Sequence, residues 1–600
     1  MDKKYTIKDF LDIESTGSPI FNFDGTKVAY LSNATGVSQI YLVSRDGGEA
    51  KQLTSYDDSV NFAVFSPTRD EIIFGKSNGG DENVQLFLFD IAQKSVRALT
   101  QNPKIQHRWG GWSQDGKFIT YSSNERDGTD FDVYVMDVES GKSKVVFGDS
   151  GSCDSLGFSP NGTMVAVRKR HTGLTHDLYL VNLQSDEVMH ITDYPENPLV
   201  GFINWLSNEK GFFFITNRER DFAGLAFYDL ETKTERYILT PEWDVEGITK
   251  TINDENLIVM INEDGYRNMT IHATKDMKPF EHQNFPKGVA GYTQWSRDGK
   301  YIVFTLSSGT KNSDVWVWSK DENKYWQITH SKQGVPQEVL VEPKLVKYQS
   351  FDELEIPAFL FLPKEKLRDK KLPVIVHIHG GPEGQFRPSF NSLIQYFVYQ
   401  GYAVIAPNVR GSSGYGKKYL ALDDIHKRMD SVTDLQYLHK FLENNNDLDT
   451  SKVVLWGASY GGYMVLAGLT FHPELWVAGV DIVGISNLVS FLENTSPYRR
   501  ALREAEYGYL STDREFLESI SPLNFIENIK APLFIIHGAN DPRVPLSEAE
   551  QMYSKLKDLG REVELLVYQD EGHGLNKSKN RMDAYPKVAE FLGRIFDKKP

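Results

Sequence analysis

The 600-residue sequence predicts two domains of different class, an all-β repeat domain followed by an α/β domain. The chain is longer than one hydrophobic core usually supports. Its first half repeats a turn-and-strand unit, whereas its second half alternates apolar runs with helical patterns. The change falls near residue 330. We therefore predict an N-terminal segment at 1–15, a repeat domain at 16–332 and an α/β domain at 333–600.

The repeat consists of an aromatic residue, a turn and an alternating strand, and it recurs about every 45 residues. A period of this length with several strands per unit is typical of a β-propeller. Seven copies predict seven blades, because a four-stranded blade buries both faces only when neighbours stack on it. A string of small β-sandwiches is the alternative. The copies start at Phe23, Phe65, Trp112, Phe158, Trp205, Asn253 (the weakest) and Trp295.

A second marker, an aliphatic residue followed by threonine, runs beside the first. It occurs at Leu53-Thr54, Leu99-Thr100, Ile191-Thr192, Leu239-Thr240 and Ile328-Thr329.

The second half contains nearly continuous apolar runs, which a parallel sheet buried on both faces requires. Helical patterns lie between them, for example at 432–442 and 548–557, and we expect the N-terminal segment to pack on this domain. The predicted strands are 373–379, 403–406, 453–456, 533–536 and 564–568.

The strongest chemical motif is the pentapeptide from Gly457 to Gly461, which matches G-x-S-x-G with Ser459 at its centre. It follows a predicted strand and opens a helical stretch, the context that a nucleophile elbow needs. Serine is a poor nucleophile unless a base takes its proton. A base and an acid that orients it are therefore expected elsewhere in the domain.

His573 and Asp541 meet this expectation, because each follows a late predicted strand. The order Ser, Asp, His is that of the α/β-hydrolase fold. Open α/β sheets place their sites at the carboxyl ends of their strands. We predict a catalytic triad of Ser459, Asp541 and His573. His537 is the competing base, but its position at a strand end before a glycine favours a structural role.

An oxyanion hole is also required, because charge builds on the substrate oxygen in the transition state. One predicted donor is the backbone N–H of Tyr460, which follows the nucleophile. The other is the N–H of Gly381, in the loop His379-Gly380-Gly381-Pro382 after an early strand.

These motifs, together with 408–416 and Asp541-Pro542-Arg543-Val544-Pro545, resemble the prolyl oligopeptidase family of serine peptidases. The chain is most similar to the acylaminoacyl-peptidase-like branch. The resemblance implies a seven-bladed propeller that shields the site, activity on short peptides, and a role for Arg543 in holding the substrate's acyl or carbonyl group. The alternative for Arg543 is a salt bridge within its loop. The dipeptidyl-peptidase-IV branch uses paired glutamates, and no Glu-Glu pair occurs here, which argues against that specificity.

We therefore predict a serine peptidase that cleaves short peptides through an acyl-enzyme on Ser459. A carboxylesterase with the same triad, a carboxypeptidase-type relative and a propeller-based binding protein with an inactive hydrolase remain alternatives. Arg499, Arg500 and Arg503 lie at helical spacing near Glu504 and Glu506. This pattern predicts a solvated, salt-bridged face, with carboxylate binding as the alternative.

Composition excludes several other classes. The formal net charge of −16 argues against nucleic acid as the main partner. The single cysteine, Cys153, allows no internal disulfide. No metal-ligand motif is present, so neither a metal nor another cofactor is predicted. The sequence shows no signal-peptide pattern and no apolar run long enough to span a membrane, which predicts a cytoplasmic enzyme. Homo-oligomerisation remains open.

Overall fold

The computed structural model describes residues 5–280, 285–364 and 371–597. Residues 1–4 of the predicted N-terminal segment, 281–284 of the predicted propeller, and 365–370 and 598–600 of the predicted α/β domain lie outside the described residues.

The first half forms a seven-bladed β-propeller, as the repeat predicts. Five blades are separate four-stranded sheets whose strands follow chain order. Their strands are β1 (Thr16–Phe21), β2 (Lys27–Ser32), β3 (Gln39–Ser44), β4 (Lys51–Gln52), β5 (Val60–Phe65), β6 (Glu71–Lys76), β7 (Gln85–Asp90), β8 (Ser95–Ala98), β9 (His107–Trp112), β10 (Phe118–Ser123), β11 (Asp132–Asp137), β12 (Ser143–Phe147), β13 (Ser152–Phe158), β14 (Met164–Arg170), β15 (His176–Asn182), β16 (Val188–His190), β17 (Val200–Trp205), β18 (Gly211–Thr216), β19 (Gly224–Asp229) and β20 (Thr234–Leu239).

Blades 6 and 7 form one seven-stranded sheet, joined by a single parallel pair between Arg267 and Val289. The ring closes where β1 contacts the first strand of blade 7. There the N–H of Phe21 donates to Gln294 Oε1 at 2.7 Å. The strands are β21 (Asp244–Lys250), β22 (Asn256–Glu263), β23 (Tyr266–Ala273), β24 (Val289–Trp295), β25 (Tyr301–Ser308), β26 (Lys311–Ser319) and β27 (Lys324–Gln327).

Both sequence markers have a structural reason. The aromatic-turn unit connects the first and second strands of each blade; for example, Trp295 ends β24 before the turn into β25. The marker threonine follows the fourth strand, and in four of the five copies its hydroxyl accepts the N–H of a third-strand residue. Thr54 accepts from Ile40 at 2.9 Å and Thr329 from Val315 at 2.8 Å. The threonine therefore fastens the outer edge of the blade, which has no further strand to pair with.

The second half contains an eight-stranded sheet in the order β28-β29-β31-β30-β32-β33-β34-β35. The pairings of β28 with β29 and of β29 with β31 are antiparallel, and the others are parallel. Five of the eight strands are those predicted; β28, β29 and β33 are additional. The strands are β28 (Lys344–Gln349), β29 (Glu355–Phe361), β30 (Leu372–Ile378), β31 (Ala403–Pro407), β32 (Leu448–Ala458), β33 (Ala478–Ile482), β34 (Leu533–Gly538) and β35 (Val563–Tyr568).

Helices cover both faces of this sheet, which makes it an α/β-hydrolase. Along β30, Val374 and Val376 join the core under α4, α5 and α9, whereas Ile375 joins the core under α2 and α10. This alternation is the two-residue period of a strand. The helices are α1 (Ile7–Leu11), α2 (Ser392–Tyr399), α3 (Gly416–Leu420), α4 (Arg428–Glu443), α5 (Tyr460–Phe471), α6 (Leu488–Asn494), α7 (Pro497–Tyr507), α8 (Arg514–Ser519), α9 (Ser547–Asp558) and α10 (Ser578–Asp597).

Helix α1 contacts α2 and α10 of the hydrolase. Its Phe10 side chain is fully buried, and the ring centroids of Tyr396 and Tyr399 lie 5.7 and 5.6 Å away. The N-terminal segment is thereby tied to the α/β domain although the propeller separates them along the chain. The three domain boundaries given above stay predictions.

We expect Phe10→Ala to lower the free energy of unfolding by about 3–5 kcal/mol, because it removes a buried ring that the surrounding residues cannot fully replace. Thermal unfolding would show this as a lower midpoint of the hydrolase transition. The matched control is Lys8→Ala on the exposed face of the same helix, which should change the midpoint little. Equal midpoints for wild type and Phe10→Ala would contradict the packing.

Candidate active site

Ser459 stands at a sharp turn between β32 and α5. Its backbone has φ 60° and ψ −119°, a conformation that residues other than glycine rarely adopt. Its N–H donates to the carbonyl of Ile482 in the neighbouring strand at 2.8 Å. The turn lifts the hydroxyl above the carboxyl end of the sheet, as a nucleophile elbow requires.

The flanking glycines are required by close backbone approach. A Cβ atom on Gly457 would lie 2.2 Å from the carbonyl oxygen of Gly461. A Cβ atom on Gly461 would lie 2.3 Å from the carbonyl oxygen of Ile378. A larger residue at Gly457 would push the elbow away from α5, and one at Gly461 would push α5 away from β30.

The structure brings the three predicted triad residues together. His573 Nε2 lies 2.9 Å from Ser459 Oγ, and His573 Nδ1 lies 2.7 Å from Asp541 Oδ2. The other carboxylate oxygen, Oδ1, accepts the N–H groups of Arg543 at 2.8 Å and Val544 at 3.1 Å. The Asp541 side chain is completely buried, so these bonds hold it in one orientation.

His537 takes no part in this chain of hydrogen bonds. Its Nε2 lies 2.9 Å from the carbonyl oxygen of Val544, and 3.7 Å from Asp541 Oδ2. Burial lowers its pKa, which favours the neutral ring. A neutral, buried imidazole that bonds the Asp541 loop has a structural role.

The two predicted oxyanion donors flank the serine. Tyr460 is the first residue of α5, and N–H groups in the first turn of a helix have no acceptor within that helix. The loop that contains Gly381 also approaches the elbow, because a Cβ atom on Gly380 would lie 3.4 Å from the Cβ of Ser459. The donation by both N–H groups stays a prediction.

Beneath the elbow, the Tyr460 hydroxyl joins a buried ionic cluster that the sequence analysis missed. Arg428 is fully buried and pairs with both Asp423 and Glu506. Burial raises the pKa of Asp423 to about 6 and that of Glu506 to about 8. Oxygens of these two residues and Asp424 lie within 4.8 Å of one another and could hold a metal. The Arg428 guanidinium already serves as the counter-ion of Asp423 and Glu506, so we assign no ion.

The propeller contacts the loops that carry His573 and Asp541. A Cβ atom on Gly80 would lie 2.1 Å from the backbone nitrogen of Gly572, so blade 2 touches the histidine loop backbone to backbone. Arg543 Nε donates to Glu82 Oε1 at 2.6 Å. The salt bridge of Arg543 therefore spans the two domains and does not lie within its own loop. Glu82 has no motif that could identify it from the sequence.

The arginines of α7 do not form the solvated, salt-bridged face that their spacing predicts, and that prediction is wrong. Arg503 lies 3.1 Å from Glu383 Oε1, directly beyond the Gly381 loop. Arg499 and Arg500 are half-buried, and the Nε atom of each is buried without a hydrogen-bond partner among the described residues. The reason is tertiary, because the Gly381 loop and the propeller cover this face of α7.

An α/β-hydrolase sheet, a serine at the elbow and a buried Asp–His pair define a serine hydrolase. Residues 388–599 match the profile of the prolyl oligopeptidase family, and residues 330–430 match that of acetyl xylan esterases. The α/β domain is therefore similar to the prolyl oligopeptidase family of serine-type peptidases, as its motifs indicate.

Several known proteins are similar over nearly the whole chain. Dipeptidyl aminopeptidase BIII of Pseudoxanthomonas mexicana is 26% identical over 95% of this chain and 85% of its own length. A puromycin-hydrolysing peptidase of Mycobacterium tuberculosis superposes with a TM-score of 0.89 at 16% identity, covering 99% of this chain and 97% of its own. An acylaminoacyl peptidase of Pyrococcus horikoshii gives 0.76 at 20% identity, covering 100% and 98%. These structures share the two-domain fold.

No helix among the described residues is long and apolar enough to cross a membrane.

The buried carboxyl of Asp481 makes stability depend on pH. Asp481 lies in β33 beside the elbow, and a Cβ atom on Gly462 would lie 2.3 Å from its Oδ1. Burial raises its pKa from 3.8 to about 7. Between these values the unfolded chain loses the proton and the folded protein keeps it. Stability therefore falls as pH rises from about 4 to 7.

We expect Asp481→Asn to remove this loss, because the amide stays neutral at every pH. Between pH 5 and pH 8 the stability of the variant relative to wild type should rise by about 2–3 kcal/mol. Thermal unfolding of both proteins across this range measures it. Parallel pH profiles would show that Asp481 is not protonated in the folded protein.

Proposed function

We propose that Ser459, His573 and Asp541 hydrolyse short peptides through an acyl-enzyme. The observation that carries the proposal is the continuous hydrogen-bond chain from Asp541 Oδ2 through His573 to Ser459 Oγ, with distances of 2.7 and 2.9 Å. Ser459 Oγ attacks the carbonyl carbon while His573 Nε2 takes its proton. The same proton then goes to the leaving amine, and water repeats the sequence on the acyl-enzyme.

Asp541 keeps His573 in the tautomer that this proton transfer needs. An N–H at Nδ1 donates to the carboxylate, which leaves the Nε2 lone pair facing Ser459. The N–H groups of Tyr460 and Gly381 would stabilise the oxyanion. Arg543 would hold a substrate carbonyl with the part of its guanidinium that Glu82 does not engage. Its side chain is 42% exposed, which leaves room for this contact.

The similar proteins differ in the group that their names indicate at the amino terminus of the substrate. One similar protein is named a dipeptidyl aminopeptidase and another an acylaminoacyl peptidase. We propose exopeptidase or oligopeptidase action, and paired substrates with a free or an N-acylated amino terminus distinguish the two specificities. The cytoplasmic location also stays a prediction, which cell fractionation would test.

A carboxylesterase is the second candidate, and the match of residues 330–430 to acetyl xylan esterases favours it. A p-nitrophenolate leaving group departs without a proton, whereas an amine must be protonated to leave. A higher kcat/KM for p-nitrophenyl acetate than for every peptide amide in a panel would support the esterase.

Ser459→Ala should lower kcat/KM for peptides by about 10⁴- to 10⁶-fold without unfolding the protein, because no other group can form the acyl-enzyme. A phosphonate probe should label Ser459 in the wild type only, as read by peptide mass spectrometry. Ser511→Ala, at an exposed position, is the control and should retain full labelling. Labelling at another serine would contradict the triad.

Substrate access is expected to need separation of the domains, because the propeller covers the triad loops. In blade 5, the carbonyl oxygen of Asp221 accepts the N–H of Lys417 from α3 at 3.0 Å. This loop lies toward the far side of the ring from blades 1 and 7, which carry the chain connections. Backbones this close are within reach of a disulfide.

We expect oxidised Asp221→Cys/Lys417→Cys to hydrolyse peptides at least about 10-fold more slowly than its reduced form. The control is Gly25→Cys/Ser296→Cys, which joins blades 1 and 7 within the propeller. There a Cβ atom on Gly25 would lie 3.3 Å from the Ser296 Cβ. Equal rates for the oxidised and reduced forms of the domain-linking pair would argue for a route that stays open.

A further inference from the structure

Arg499 is an unpaired cation at the candidate active site. Among the described residues, no carboxylate lies within 4.0 Å of its guanidinium, and its Nε atom is buried without a hydrogen-bond partner. An arginine stays charged under all physiological conditions. Burying its charge without a counter-ion is costly, and a bound anion would lower that cost.

The position of Arg499 is set by contacts at both ends of α7. Before the helix, Ser496 Oγ donates to the carbonyl of Pro542 at 2.6 Å, beside Asp541. One turn after Arg499, Arg503 pairs with Glu383 in the loop after Gly381. Residues four apart share a helix face. Arg499 therefore lies between the loop of Asp541 and the loop of Gly381.

The carboxylates that could neutralise Arg499 are already engaged. Glu82 accepts from Arg543 Nε at 2.6 Å, and Glu383 accepts from Arg503 at 3.1 Å. Burial, followed by the like charges of Arg543 and Arg503, lowers the pKa of Arg499. Glu82 and Glu383 thus each balance one arginine, and Arg499 adds a positive charge that neither of them balances, although the whole chain carries a formal charge of −16.

The propeller adds further positive charge beside α7. Three arginines surround one buried carboxylate, Asp154: Arg108 at 3.1 Å, Arg168 at 3.0 Å and Arg170 at 2.5 Å. The Arg108 guanidinium lies over the Phe131 ring at 3.4 Å, and that ring contacts Tyr498, the neighbour of Arg499. One carboxylate cannot neutralise three guanidinium groups, so this cluster also favours an anion.

We propose that Arg499 binds a carboxylate of the peptide substrate, either the terminal α-carboxylate or an Asp or Glu side chain. Guanidinium groups recognise carboxylates through paired, charge-assisted hydrogen bonds, and both sources offer the same group. The bound carboxylate replaces the missing counter-ion and fixes the peptide relative to Ser459. This inference rests on the proposed function for the identity of the ligand as a substrate.

The test compares matched peptides that differ by one charge. One pair has a free or an amidated carboxyl terminus, and the other pairs replace Asp by Asn or Glu by Gln in amidated peptides. We expect the wild type to favour the carboxylate form in one of these comparisons by about 10- to 100-fold in kcat/KM. The comparison that shows the preference identifies the source.

Arg499→Leu should reduce that preference to near unity, and Arg499→Lys should retain part of it, because the charge remains without the paired donors. The control is Arg500→Leu, since Arg500 NH2 donates to the carbonyl of Glu493 on the exposed side. It should keep the wild-type ratio. A wild type without preference in any pair, or an Arg499→Leu variant that keeps it, would overturn the proposal.

Binding to Ser459→Ala separates this proposal from the proposed function. The same peptide pairs can be titrated without turnover, and the carboxylate form should bind about 10- to 100-fold more tightly. Equal affinities would contradict the carboxylate site alone. A preserved preference in binding, combined with a wild type that hydrolyses no peptide and takes no phosphonate label, would contradict the proposed function alone.

Discussion

The strained backbone at Ser459 is the constraint on which the rest of the site depends. A residue other than glycine holds φ 60° only when its surroundings fix it there. Here Gly457 and Gly461 let the turn close against β30, and the Ser459 N–H bonds the next strand. The hydroxyl can therefore face His573, which follows a strand three positions further along the sheet. The close packing of glycine backbones sets this geometry, rather than any property of the serine itself.

The propeller is part of the same arrangement. Blade 2 touches the loop of His573 through Gly80 and holds the loop of Asp541 through Glu82 and Arg543. The interface between the domains and the candidate triad thus share two loops. A movement that separates the domains would change the surroundings of the histidine and aspartate. Substrate access and the geometry of the triad are therefore coupled.

Charge is distributed unevenly between the surface and this interface. The chain is acidic overall, yet the described residues at the interface include six arginines that face three carboxylates, Glu82, Glu383 and Asp154. Charges buried between domains are screened less than charges at the surface. The unbalanced guanidinium of Arg499 therefore acts on a bound ligand more strongly than the net charge does, and it favours an anionic group.

By itself the sequence determined the propeller, the hydrolase fold, the family that the α/β domain resembles and the three candidate triad residues. The propeller units recur at a regular spacing, and each triad residue directly follows a strand, so both can be found from local sequence patterns. Thr54, for example, bonds the third strand of its blade from a fixed position after the fourth strand. Gly457 lies two residues before the nucleophile, where the backbone of Gly461 leaves no room for a side chain. Only the tertiary structure decided the roles of Glu82, Arg428 and Arg499. The helical spacing of the α7 arginines predicts exposure, but the Gly381 loop and the propeller cover them. The partners of a charged side chain come from distant segments of the chain. Which charges are paired depends on which of them are buried together, and no local sequence pattern encodes that.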